Sequence, residues 1–233
     1  MPVVTGGEPD LASREREQAG STLSCVVAPE VNDSRTRRIG LFGGTFDPPH
    51  IGHLVTAVNV RHLLNLDVVL FVVAGSPWQK EGTRSITPAA DRLAMVQAAV
   101  AGVNGLEASS VEVNREGPSY TVDTLETLAD AFPGAEFYTV VGADAAALLP
   151  TWERFEQVLR LSHMVVVDRP GVASDVPPLT DWIHVEVPHL AVSSTDLRAR
   201  FADGRPLDFL IPDAVLRVAG ERGLYRAADG GSR

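Results

Sequence analysis

Residues 39–54 read IGLFGGTFDPPHIGHL. An apolar run closes on Gly43 and Gly44, a turn carrying Pro48 and Pro49 follows, and His50 and His53 open a segment free of helix breakers. An apolar run ending in glycine has the composition of a buried strand. The prolines fix the turn and delay the next element, so a helix is expected to begin near His50, with the two imidazoles one turn apart on one face. Its free N–H groups and dipole favour an anion, and glycines at a strand end let a ligand approach the backbone. A phosphate chain suits both features. Two blander readings compete: a surface or capping histidine, and a metal pair. Metalloprotease helices, however, space their histidines i, i+4 around a glutamate that is missing here. GGTFDP also lacks the G-x-G-x-x-G of a dinucleotide fingerprint.

Outward from this stretch, strand-like and helix-like segments alternate. Strands are expected at 38–44, 67–75, 106–113, 136–144, 163–171 and 183–188. Helices are expected over 51–65, 87–102 (Thr87 as cap, Pro88 in the first turn), 120–132, 151–161, 193–201 and 212–223. Such alternation predicts an α/β fold, a Rossmann-like doubly wound parallel sheet in a single catalytic domain. Ligands then bind at the carboxyl ends of the strands, near the switch in strand order. The domain is placed at 37–227. Residues 1–36 are rich in Gly, Ser, Glu and Arg and read as a disordered extension, and 228–233 as a tail.

The chain has 233 residues, 45% hydrophobic and 21% charged, with a net charge of −10. That balance suits a globular domain with a real core and argues against nucleic acid as a partner, which would need a basic face. Any positive potential for an anionic substrate must be built locally. Cys25 is the single cysteine, so no intrachain disulfide forms and a reducing, cytoplasmic compartment is expected. No apolar run approaches the roughly 20 residues that span a bilayer, so no membrane partner is expected. Homo-oligomerisation stays open.

A second stretch, VSSTDLR at 192–198, has the capping-box pattern, with Ser193 as cap and Asp196 three residues on. Arg198 lies one turn into the helix, able to donate to a phosphate; alone, it would read as a solvated surface arginine.

Together, GGTFDPPHIGH and VSSTDLR resemble the paired motifs of the small nucleotidyltransferases. Class I aminoacyl-tRNA synthetases share the HIGH tetrapeptide but pair it with a KMSKS-type loop that this sequence lacks. The middle of the chain narrows the resemblance. SPWQK (76–80), GPSYTVDTL (117–125), VGADAAALLPTW (141–152), VDRPG (167–171) and RGLYR (222–226) are similar to the nicotinate mononucleotide adenylyltransferases, over about residues 39–226. Pantetheine-phosphate adenylyltransferases share the first motif but lack the PSYT and TW elements, and are the alternative. A catalytically silent nucleotide-binding regulator is another, against which the presence of both histidines, Arg198 and Trp152 counts.

The resemblance implies adenylyl transfer from ATP to nicotinate mononucleotide with Mg²⁺, in NAD biosynthesis, by in-line attack without a covalent intermediate. It implies that His50, His53 and Arg198 are catalytic. Gly43, Gly44, Thr45, Phe46, Asp144, Ser193, Ser194, Thr195 and Lys80 would bind ATP, the first four mostly through backbone and Asp144 at a ribose. Tyr120 and Thr121 would read the nicotinate carboxylate through backbone N–H groups, Trp152 would stack on the pyridine ring, and Arg169 would meet a phosphate. The metal would be held mainly by phosphates, with Asp47 either orienting the turn or touching the metal–phosphate complex. Closure of the 76–85 loop over ATP is expected. His62, His163, His184 and His189 are read as structural or surface residues.

Overall fold

In the computed structural model, residues 36–77 and 85–225 are described. The expectations for the first 35 residues, for Cys25, for Lys80 and residues 78–84 of its loop, and for the tail after Tyr225 lie outside those residues.

Six strands form one all-parallel sheet: β1 (Arg38–Gly44), β2 (Val68–Val73), β3 (Leu106–Ser109), β4 (Glu136–Gly142), β5 (His163–Asp168) and β6 (Ile183–Glu186). Their order is β3-β2-β1-β4-β5-β6. Chain order therefore runs outward from β1 in one direction, then jumps back to β4 and runs outward in the other. The crevice between β1 and β4, at their carboxyl ends, is where such a sheet receives its ligand.

Among the described residues there are seven α-helices, the last two following β6: α1 (Ile51–Leu63), α2 (Ala89–Val100), α3 (Thr121–Ala131), α4 (Ala143–Ala147), α5 (Phe155–Leu161), α6 (Ser194–Asp203) and α7 (Asp213–Glu221). β2 explains why both faces are covered. Every residue of VVLFVV is buried, and side chains alternate between faces. Val69, Phe71 and Val73 pack with Ala57 and Val60 of α1 and Val96 of α2. Val68, Leu70 and Val72 pack with Val122 and Leu125 of α3 and Val158 of α5. A third cluster joins Met95 of α2 to Leu197 of α6 and Val215 of α7, seating the carboxyl-terminal helices beside α2.

Three local expectations shift. Pro88 itself occupies the N-cap of α2 and Thr87 lies outside it, since proline has no amide to need a partner. β3 stops at Ser109, and 111–114 turn back instead of continuing the strand. The expected helix over 151–161 is broken. A short 3₁₀ helix (Leu149–Thr151) ends at Trp152, and Arg154 adopts φ 46 before α5 begins. Arg154 bonds Glu126 of α3 at 2.8 Å and Asp123 at 2.5 Å, and Trp152 leaves the helix for the ligand crevice.

Candidate active site

A cavity of about 300 Å³ opens at the crevice between β1 and β4. Gly43, Gly44 and Thr45 form one wall, Thr139–Gly142 of β4 the other, and Tyr120, Thr121 and Trp152 close one end. Six of the expected site residues therefore share one pocket. A Cβ at Gly43 would meet nothing within 4 Å. It would protrude into the space a ligand needs, which is why glycine belongs there.

The imidazole pair lies beside this pocket, not in its lining. His50 is the N-cap of α1 and its backbone N–H donates to His53 Nδ1 at 3.1 Å. Accepting at Nδ1 leaves Nε2 as the protonated, donor nitrogen of a neutral His53. The two rings stack with centroids 3.6 Å apart. Burial drives His50 down to about pKa 4, and its Nδ1 has no hydrogen-bond partner among the described residues. Near neutral pH His50 is thus a neutral hydrogen-bonding ring.

Phe46 contributes more than backbone. It takes φ 50, a costly conformation for a bulky residue, and its buried ring sits 5.0 Å from His53 and 5.5 Å from Phe71. The strained turn seats Phe46 in the core as a floor under the imidazole.

The helix terminus is less empty than its sequence suggests. The Ile51 amide already donates to the Leu210 carbonyl at 3.0 Å, and those of His53 and Leu54 reach back to the His50 carbonyl. The amides of Ile51, His53 and Leu54 in that first turn are thus all engaged within the protein.

The second motif folds onto the first. Ser193 caps α6, accepting from the Asp196 amide at 3.2 Å. Ser194 Oγ donates to the Pro48 carbonyl at 2.8 Å. Arg198 Nη1 donates to the Asp47 carbonyl at 2.7 Å, and its Nη2 to Thr195 Oγ1 at 3.2 Å. Part of the Arg198 fork is thus committed to holding the turn. Asp47 is buried, and its carboxylate accepts from Tyr225.

At the other end, Tyr120 is the N-cap of α3 and supplies no side-chain acceptor to the first-turn amides. Tyr120 and Thr121, at this amino end, both line the pocket. Behind them lies Glu112, whose carboxylate accepts from Thr124 Oγ1 at 2.7 Å. Burial raises its pKa, opposed by hydrogen bonds from Thr124 and Ser119 and by the charge of Arg115. Trp152 lines the pocket with its indole N–H buried and unpartnered among the described residues. Asp144 and Arg169 stand outside the pocket, both exposed, in α4 and after β5.

Arg92 of α2 is the residue that sequence reading missed. It is 1% exposed. Its Nε donates to the Thr87 carbonyl at 2.8 Å, Nη1 to Thr45 at 2.8 Å and Nη2 to Gly75 at 3.3 Å. A permanent cation therefore sits beneath the turn after β1, building locally the positive potential that an acidic chain needs for an anionic ligand. Its only sequence signal is an arginine on an otherwise apolar helix face. His184 likewise gains an unforeseen partner, with Nδ1 2.8 Å from the Asp168 carboxylate.

Among the described residues, no three His, Cys, Asp or Glu side chains gather to hold a metal ion, and no helix is long and apolar enough to cross a membrane.

A glycine-ended β1, a paired-histidine helix start and a capped second helix folded onto it, all at the switch point of a doubly wound sheet, define a nucleotidyltransferase site. Residues 41–200 match the model of the cytidylyltransferase-like family. A probable nicotinate-nucleotide adenylyltransferase of Corynebacterium kroppenstedtii is 45% identical over 192 residues, covering 81% of this chain and 90% of the relative. One from Saccharopolyspora erythraea is 42% identical over 198 residues, covering 84% and 93%. The chain belongs to the nicotinate-nucleotide adenylyltransferase family. Among solved structures, the Plasmodium falciparum nicotinic acid mononucleotide adenylyltransferase complexed with NaAD superposes with a TM-score of 0.66 at 17% identity, over 81% of this chain and 97% of that one. At that identity the likeness is one of fold.

Proposed function

We infer that the protein transfers the adenylyl group of ATP to nicotinate mononucleotide, releasing pyrophosphate and deamido-NAD, a step of NAD biosynthesis. The observation that carries this reading is the shared pocket. The β1 glycines, Tyr120 and Thr121 at the amino end of α3 and Trp152 line one cavity, with the stacked imidazole pair beside it.

A phosphate oxygen of the mononucleotide attacks the α-phosphorus of ATP in line, the bond to the β-phosphate oxygen breaks, and pyrophosphate leaves. The nucleophile is already anionic and needs no general base. The chain's contribution is positioning and electrostatic stabilisation. His53 Nε2–H, and with it His50, donates to the phosphate oxygens where charge develops. Gly43, Gly44 and Thr45 admit the nucleotide against the backbone, with the Arg92 charge beneath. Arg198 serves the turn through Asp47 and donates to phosphate with the rest of its fork. Ser193, Ser194 and Thr195 frame the ATP side. The α3 amides at Tyr120 and Thr121 bind the nicotinate carboxylate through charge-assisted bonds that a carboxamide cannot equal, and Trp152 stacks on the ring. Asp144 is assigned to a ribose, Lys80 and Arg169 to phosphates. No side chain is assigned to Mg²⁺, which would be held by the phosphate and water oxygens of bound ATP, the hard donors it prefers, and would supply charge neutralisation. Residues 37–227 make up the catalytic domain, with no nucleic acid or membrane partner.

ATP labelled at its α-phosphorus tests the chemistry. All label should pass to deamido-NAD, and none should remain on acid-quenched protein; protein-bound label would overturn direct transfer.

A further inference from the structure

The turn between β1 and α1 is anchored from the far end of the chain. Residues 45–50 belong to no strand or helix, so no regular ladder fixes them. Ser194, Arg198 and Leu210 each hold part of this segment or the first residue after it. A fourth anchor lies beyond α7. Tyr225 Oη donates to Asp47 Oδ1 at 2.7 Å, across 178 positions of sequence. The Tyr225 backbone takes φ 60, a conformation unfavourable for an aromatic residue, and its ring packs against Phe201 with centroids 5.0 Å apart. Burial, and after it the hydrogen bond to Asp47, keeps the phenol protonated far above its usual range, so it is a permanent donor. Asp47 is 1% exposed, and a carboxylate so buried needs bonded donors to stay charged.

We propose that Tyr225 is a positioning residue of adenylyl transfer: by donating to the Asp47 carboxylate it fixes the turn that sets His50 and His53, without touching substrate. This rests on the function proposed above. The turn leads directly into His50, which is stacked on His53, so slack at Asp47 passes to both rings. Rate is far more sensitive than affinity to such slack, because small misplacements of transition-state donors cost rate steeply.

Tyr225→Phe removes the hydroxyl and keeps the ring on Phe201. Its kcat should fall about 10-fold, with KM for ATP and nicotinate mononucleotide within a factor of two. The ring resonances of His50 and His53 should shift in the ligand-free protein. In an Asp47→Ala background the same substitution should lower kcat no further. Wild-type kcat in Tyr225→Phe, or an undiminished further loss on Asp47→Ala, would overturn the proposal. An inactive wild type would instead overturn the function, and the histidine resonances of Tyr225→Phe, needing no turnover and no Asp47 variant, would still decide this proposal: a shift supports it and unchanged resonances reject it.

Discussion

Gly52, the glycine between the two histidines, is the second residue of α1, where helix propensity alone favours alanine by about 1 kcal/mol. The surroundings oppose that gain. A Cβ built at Gly52 would stand 3.0 Å from Val192 Cγ1, 3.1 Å from His50 Nδ1 and 3.2 Å from His50 Cε1. Ordinary carbon contacts lie near 3.5–4.0 Å, so the neighbours must retreat by about half an ångström. Val192 packs against the Leu197 cluster and His50 is 7% exposed beneath the His53 stack, so neither moves freely. Overpacking of this kind costs about 1–3 kcal/mol. Gly52→Ala should therefore be destabilised by about 0–2 kcal/mol net, a small shift in Tm. Turnover should suffer more: displacing one ring displaces its stacked partner, and kcat should fall by about tenfold or more. Pyrophosphate release at saturating substrates, beside a thermal melt, measures both. A variant stabilised by the full propensity gain and fully active would refute this account of the glycine.

Three other outcomes follow from the same geometry. His53→Ala, which removes the Nε2 donor, should keep its fold by circular dichroism and lose about 10²–10³ in kcat. Because burial lowers the His50 pKa from 6.5 to about 4, the unfolded chain binds the extra proton between those values. Stability is fully present above pH 6.5 and falls as pH drops towards 4, by about 3 kcal/mol from this group; urea unfolding of His50→Gln should show an acid limb shallower by one proton. Arg92→Met leaves the carbonyls of Thr45, Gly75 and Thr87 without this donor, the Thr45 one buried, and should cost about 1–3 kcal/mol in urea unfolding, the range for stranding a buried acceptor.

The elements most legible in sequence are those whose cause is local. β2 is a run of buried apolar residues and the sequence pattern marks it plainly; Ser193 caps α6 as its spacing with Asp196 indicates. The sheet class follows from alternation. What escaped is set by contacts far apart in sequence. Arg154 breaks an otherwise helical pattern while its guanidinium reaches α3. The first amide of α1 is taken by Leu210, which nothing near the histidines signals. Arg92 reads as one more helix former until α2 is placed beneath the turn after β1. The pocket was legible in part, its glycine wall in the first motif and its end in Tyr120, Thr121 and Trp152, while the second motif lies outside its lining. That the imidazoles flank it instead of lining it depends on where the turn between β1 and α1 is pinned.

Central to the account is that one pocket accepts a nicotinate nucleotide for attack on ATP. Pyrophosphate release with ATP and Mg²⁺ tests it most directly, offering nicotinate mononucleotide, nicotinamide mononucleotide and phosphopantetheine in parallel. Rapid turnover of the nicotinate substrate, with the amide far slower, is the expected result. Turnover of phosphopantetheine instead, or silence with all three, would contradict the assignment.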